Sequence, residues 1–118
     1  MEKYRVVFHL DESGKARGEL VLRNIENLIF DLGENNVEIE LVANGEGITA
    51  LLKSPNLHGE QFERFSAKGI RFVACANTLR QMGLTKDALL DLVEIVPAGV
   101  GELVKKQAQG WAYIRPQT

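Results

Sequence analysis

Apolar and polar positions along this chain switch between two periods. Tyr4 to Leu10 (YRVVFHL) is a β-branched and aromatic run broken only by His9, which predicts a first strand buried on both faces. From Arg17 to Leu32, the residues Leu20, Val21, Ile25, Leu28, Ile29 and Leu32 recur at spacings of three and four. That period is an amphipathic helix, and Gly33 ends it. Asn24 and Asn27 are its odd polar members. Val37 to Ala43 (VEIELVA) alternates at first and then turns apolar, and its Glu38 and Glu40 predict a strand at the sheet edge. Asn44-Gly45-Glu46-Gly47 follows, with two glycines suited to positive φ and close backbone approach. A short helix is expected over Ile48 to Lys53, stopped at Ser54-Pro55, and a second over Gln61 to Lys68, ended by Gly69.

The second half of the chain is organised around Ile70 to Leu79 (IRFVACANTL). Ile70 to Ala74 reads as a buried strand, and a helix is expected from about Asn77 to Met82. Asn77 and Thr78 are residue types that cap helix starts. Cys75 therefore falls at a strand-to-helix turn. Gly83 to Leu90 reads as a connection with one helical turn, for which Thr85 is the expected cap. Leu92 to Val96 is a fourth strand, and Pro97 forbids its ladder from continuing. Ala98-Gly99-Val100-Gly101 opens a helix that runs to about Gln109. Gly110 closes it, and Trp111 to Ile114 is a last short strand. Strands alternating with helices imply an α/β domain over residues 1–118: a five-stranded parallel sheet with helices on both faces.

Composition narrows the class. The chain has 118 residues, enough for one domain with a real core, and 45% of them are hydrophobic. Its formal net charge of -2, with scattered lysines and arginines, gives no support for nucleic-acid binding. A single cysteine excludes an internal disulfide and a multi-cysteine zinc site, and no clustered ligand spacing suggests another metal. No apolar run approaches membrane-spanning length, and the N-terminal one is too short for a signal peptide. A reducing cytoplasm is the expected home.

The candidate chemistry lies at strand ends. In a doubly wound sheet, ligands bind outside the carboxyl ends of the strands at the switch point. In the order 2-1-3-4-5 that point lies between strands one and three. His9 and Cys75 end those strands, Asn44 and Gly45 end strand two, and Pro97, Ala98 and Gly99 end strand four. Cys75 near a helix start feels a field that favours its thiolate, whereas burial opposes it. A Cys–His pair there suits a reactive thiol, although the alternation of side chains along a strand also allows His9 to point into the sheet's packing. His58, in a loop, is expected to be solvated. There is no P-loop, no GxGxxG and no G-x-S-x-G elbow.

The chain resembles the DsrE/DsrF-like family along nearly its whole length. The resemblance rests on the order and spacing of VVFHLDE (Val6 to Glu12), NIEN (Asn24 to Asn27), VANGEGI (Val42 to Ile48), FVACANTL (Phe72 to Leu79), VPAGVGEL (Val96 to Leu103) and QGWAYIRP (Gln109 to Pro116). It implies a flavodoxin-like three-layer fold and a homo-oligomer, trimer or hexamer. In members of the family that act in sulfur transfer, one cysteine carries sulfur as a persulfide and hands it to a partner. Cys75 occupies the segment where such a cysteine is found. Two readings follow. In one, the protein relays sulfur on Cys75, assisted by His9 and by a backbone rim at Asn44, Gly45, Ala76, Asn77 and Gly99, with no cofactor and with a donor or acceptor protein as partner. In the other, it is a non-enzymatic oligomeric module whose rim holds a small ligand and whose Cys75 is structural.

Overall fold

In the computed structural model, which describes residues 3–117, the apolar runs become five strands: β1 (Tyr4–Leu10), β2 (Val37–Ala43), β3 (Arg71–Cys75), β4 (Glu94–Val96) and β5 (Ala112–Ile114). All neighbours pair in parallel. Four helices connect them: α1 (Lys15–Leu32), α2 (Gly59–Ala67), α3 (Ala76–Gln81) and α4 (Gly99–Ala108). The short helix expected over Ile48 to Lys53 is a 3-10 segment at Gly45–Leu51, and the helical turn expected within Gly83 to Leu90 is a 3-10 segment at Lys86–Ala88. Thr85 precedes the second of these without a side-chain capping bond. None of the helices among the described residues is long and apolar enough to cross a membrane.

The class is the expected one, a flavodoxin-like α/β fold in three layers. The sheet order is β4-β3-β2-β1-β5. Thus β1 lies between β2 and β5, where the order read from sequence sets β3 beside it. The expectation that β2 lies at an edge is also corrected. β2 is the central strand, and Glu40 is 1% exposed. The alternation that resembles an edge strand has another cause. The Glu40 carboxylate accepts a hydrogen bond from Arg71 Nη1 at 2.6 Å, on the neighbouring strand. A buried charge is tolerable when paired in this way.

Register explains the two cores. Val6, Phe8 and Leu10 of β1, Ile39 and Leu41 of β2 and Phe72 of β3 face α1, α2 and α3. There they meet Val21, Leu22 and Ile25 of α1, Phe62 and Phe65 of α2, and Leu79 of α3. Val7, Val42, Val73 and Val96 face the other way, against Leu103 of α4 and Trp111. Burying each such aliphatic side chain stabilises the fold by roughly 1.5–3 kcal/mol. The helix α4 thus covers the second face alone as the chain crosses from β4 to β5.

The carboxyl ends of β1 and β2 are drawn together. The Asn44 N–H donates to Leu10 O at 3.1 Å. A Cβ on Gly47 would stand 1.9 Å from that same carbonyl oxygen, so only glycine fits there. Gly47→Ala is expected to lower stability by roughly 1–3 kcal/mol or more, because the clash is with backbone that cannot rotate away. A urea midpoint unchanged from the wild type would refute this.

Glu40 gives a second expectation. Burial, and then the neighbouring Glu102 carboxyl, push Glu40 up to about 7. A carboxyl group that binds its proton more tightly when folded contributes stability at low pH and loses it as pH rises. This contribution is therefore full below the ordinary glutamate value and gone above about pH 7. Urea midpoints measured across that window should fall for the wild type and fall less for Glu40→Gln.

Candidate functional site: one thiol at two helix starts

β3 runs into α3 with no intervening loop. Cys75 is both the last residue of β3 and the residue that caps α3. Asn77 and Thr78, expected as caps, instead lie inside the first turn of the helix. Neither makes a capping bond there. The Thr78 hydroxyl turns sideways and accepts a hydrogen bond from the Gly45 N–H at 3.1 Å. Asn77 accepts one from the Arg80 guanidinium.

Next to β3, β4 ends in register with Val96 beside Cys75, and α4 begins at Gly99. Two helices therefore start at the same sulfur. Cys75 is 5% exposed. Burial pushes its thiol up. The Gly99 backbone N–H, the Thr78 hydroxyl and the backbone N–H groups of Thr78 and Asn77 outweigh that, and the net shift is downward from the ordinary cysteine value. Donors aimed at the sulfur favour its charged form.

A line of polar side chains crosses the same rim over three adjacent strands. Asn44, just past β2, accepts through Oδ1 from His9 Nε2 at 2.9 Å. His9 Nδ1 lies 2.6 Å from the Tyr113 hydroxyl on β5. Asn44 Oδ1 can only accept, so in the neutral ring Nε2 carries the proton and Nδ1 accepts from Tyr113. Burial holds the Tyr113 hydroxyl above its ordinary value, which keeps it a donor. At the other end, Asn44 abuts the start of α4. A Cβ on Gly99 would stand 3.0 Å from Asn44 Cβ and 3.3 Å from its Nδ2, so glycine lets α4 approach closely. Gly45, at φ 52°, turns the chain away under Asp11 O. Beyond Tyr113, Arg115 holds both oxygens of Asp11 at 3.1 Å, tying the C-terminal segment to the exit of β1.

The structure thus gathers Cys75, Asn44, Gly45, Gly99 and His9 at one rim, with Ala76 and Asn77 opening α3 beside the thiol. The Cys–His pair is not formed. No hydrogen bond joins His9 to Cys75 among the described residues, because both ring nitrogens are engaged elsewhere. The insertion of β2 between β1 and β3 separates them. His58, expected to be solvated, is half-buried between α2 and α1, with Nε2 3.9 Å from Glu19. It lines a cavity of about 200 Å³ with Leu10 and Phe62, on the sheet face opposite Cys75. Sequence reasoning missed Thr78 and Tyr113 as parts of the site. Thr78 carried a signal, as a hydroxyl three residues past the cysteine, but its use across the sheet end did not. Tyr113 stood out only as part of the last short strand.

A parallel α/β sheet with one cysteine at its carboxyl rim, held by the starts of two helices, is the class that this geometry defines. Residues 3–116 match the DsrE/DsrF-like family, and the chain belongs to that family. Among solved structures, it is similar to MTH1491 from Methanobacterium thermoautotrophicum, described as a protein of unknown function. The two are 43% identical with a TM-score of 0.91, covering 97% of this chain and 100% of that one. It shares its fold with the ychN protein of E. coli at 20% identity and TM-score 0.77, covering 98% and 100% of the two chains. It also shares it with BT1422 from Bacteroides thetaiotaomicron at 11% identity and TM-score 0.64, covering 95% and 94%. No curated protein matches the chain.

Thr78→Val tests the thiol's surroundings. It removes one donor to Cys75 and the acceptor of Gly45. The thiol should titrate higher, so the alkylation rate at pH 7 should fall, and stability should drop by about 1 kcal/mol for the lost hydrogen bond. A pH profile of iodoacetamide alkylation that matches the wild type would rule out a role for the hydroxyl.

Proposed function

We propose that this protein is a sulfur-relay protein that carries sulfane sulfur as a persulfide on Cys75 and passes it to a partner protein. Membership of the DsrE/DsrF-like family supports a sulfur-relay role at the level of the family. The observation that carries the reading to this residue is the convergence of the Gly99, Asn77 and Thr78 donors on one thiol, which lowers its pKa. A thiolate is the attacking form in sulfur exchange.

The chemistry balances without a cofactor. The Cys75 thiolate attacks the terminal sulfur of a donor persulfide, the sulfur–sulfur bond of the donor breaks, and the donor leaves as a thiolate. Cys75 now bears one extra sulfur. An acceptor thiolate then attacks that sulfur, and Cys75 leaves as a thiolate. No net oxidation occurs. The helix starts that favour the thiolate also favour the persulfide anion, since both place negative charge beside the same N–H groups. His9 is a positioning residue in this scheme. It holds Asn44, which packs on Gly99 and so helps to set the donor at the sulfur. A lone free thiol of this kind suits a reducing compartment, and we propose the cytoplasm.

We propose further that the working form is a closed homo-oligomer, the trimer or hexamer that the family resemblance implies. Two features support it. β5 is an edge strand with Tyr113 40% and Ile114 37% exposed, and such edges invite pairing. α4 turns Val100 and Val104, 63% and 65% exposed, outward from the same layer.

Mass spectrometry after treatment with a persulfide donor should show the protein gaining one sulfur atom, and Cys75→Ser should abolish the gain while keeping the fold. A wild-type thiol that reacts only after denaturation would overturn the relay reading in favour of a ligand-binding module with a structural cysteine. Light scattering at micromolar concentration should give a mass several times 13.1 kDa. A monomer mass would remove the proposed assembly.

A further inference from the structure

Beneath α4, at the amino-terminal half of the strands, charged groups meet in a place that the site description does not use. Arg71 opens β3, and its Nε donates to Glu94 of β4 at 2.8 Å. Its Nη1 is shared. It lies 2.6 Å from Glu40 Oε2 on β2 and 3.2 Å from Glu102 Oε2 on α4. Lys106, one turn further along α4, is 3.9 Å from Glu102. On the remaining side, β1 presents Val7 in register with Glu40, while Arg5 and Glu38 pair with each other further out. The groups facing Glu40 are therefore two carboxylates, Glu94 and Glu102, and two cations, Arg71 and Lys106. Glu40 Oε1 is buried and has no donor.

Three carboxylates against two cations leave one negative charge uncompensated; Glu94 and Arg71 reach solvent, whereas the Glu40 and Glu102 side chains are 1% and 10% exposed. The two hydrogens of Arg71 Nη1 serve one oxygen each of Glu40 and Glu102, which brings the two carboxylates to one nitrogen and leaves Glu40 Oε1 without a donor. A proton held between them removes the excess charge and gives the orphaned oxygen a partner.

We propose that Glu40 and Glu102 share a proton that seats the first turn of α4 on the sheet, and that its loss loosens that seat and makes the Cys75 thiol less acidic. The link is one helical turn. Gly99, whose N–H helps to lower the Cys75 thiol, lies three residues before Glu102 on α4, within about 5.4 Å along the helix axis. Glu40 is fixed in the central strand. When both carboxylates are charged, the like charges part by moving Glu102 and the helix start with it. Burial and the Glu102 carboxyl hold Glu40 near 7, so the proton is exchanged around neutral pH. Glu40 and Glu102 are positioning residues here, acting on the sulfur through α4. The consequence for sulfur transfer rests on the reading of Cys75 as the carrier.

The Gly99 amide reports the seat directly. In Cys75→Ser, which removes the thiol's own titration, its NMR shift should move with pH around neutrality. It should stop moving in Cys75→Ser combined with Glu40→Gln, whose side chain imitates the protonated acid. Glu102→Gln should behave likewise, and Glu94→Gln, at the exposed end of the cluster, should not. With Cys75 present, Glu40→Gln should alkylate faster than wild type at pH 8, by up to about threefold, the ceiling on the gain in thiolate from half a pKa unit. A Gly99 amide that does not titrate near neutrality in Cys75→Ser, or one that titrates unchanged in both glutamine variants, overturns the proposal. So does an alkylation profile identical to wild type. If Gly99 follows Glu40 but Cys75 accepts no sulfur, the coupling stands and the carrier reading alone fails.

Discussion

A five-stranded sheet needs both faces covered, and here one face has a single ten-residue helix to cover it. That constraint shapes most of the molecule. α4 must start where β4 ends and deliver the chain to β5, past the three strands that lie between. Its buried side, with Leu103, lies on the valines of β1, β2 and β3. Its start must come down close to the carboxyl rim, where a Cβ on Gly99 would crowd Asn44 at 3.0 Å. The same closeness brings the Gly99 N–H to Cys75. The acidity of the thiol is thus a consequence of how the sheet is covered.

The two faces also differ in kind. Beneath α1, α2 and α3 the packing is apolar throughout, with Phe62 set edge-on to Phe72. Beneath α4 the face changes along the strands, from the Glu40–Arg71–Glu102 ion cluster, through the valines, to Cys75 and His9 at the rim. Lys106 spans two of these zones, pairing with Glu102 and lying 4.6 Å from the Trp111 ring centre. Buried ion pairs seldom add net stability compared with apolar packing. Their presence beneath the helix that serves the thiol is more readily understood as positioning than as reinforcement.

Rigidity at the rim comes from many small ties. Asn44 bonds Leu10 through its backbone and His9 through its side chain, and Gly45 bonds Thr78. These link the ends of β1, β2 and β3 across the sheet. The Asp11–Arg115 pair closes the far side; burial pushes the Asp11 carboxyl up, but the hydrogen-bonded arginine outweighs it and holds the carboxyl below its ordinary value.

Local features of this protein were legible in its sequence because they depend on local periodicity. The apolar period of α1, the β-branched runs of β1 and β3 and the abrupt end of β4 at Pro97 each act within a few residues. So does the passage from strand to helix that puts Cys75 beside a helix start. The glycines after Asn44 were also legible, although their uses differ: Gly45 takes a positive φ and Gly47 admits a backbone oxygen. Strand order was not legible, because nothing local distinguishes a central strand from an edge strand when its glutamates are paired. Glu40 resembled an exposed residue, and only Arg71 and Glu102, arriving from β3 and α4, make its burial possible. That order keeps His9 from Cys75 and gives it Asn44 and Tyr113 instead. The convergence of a second helix start on the thiol was likewise decided by tertiary structure, since it requires β4 to lie in register beside β3. The influence of the Gly99 N–H on Cys75 and the hydrogen bond from Gly45 to Thr78 join segments that sequence separates and only the sheet brings together.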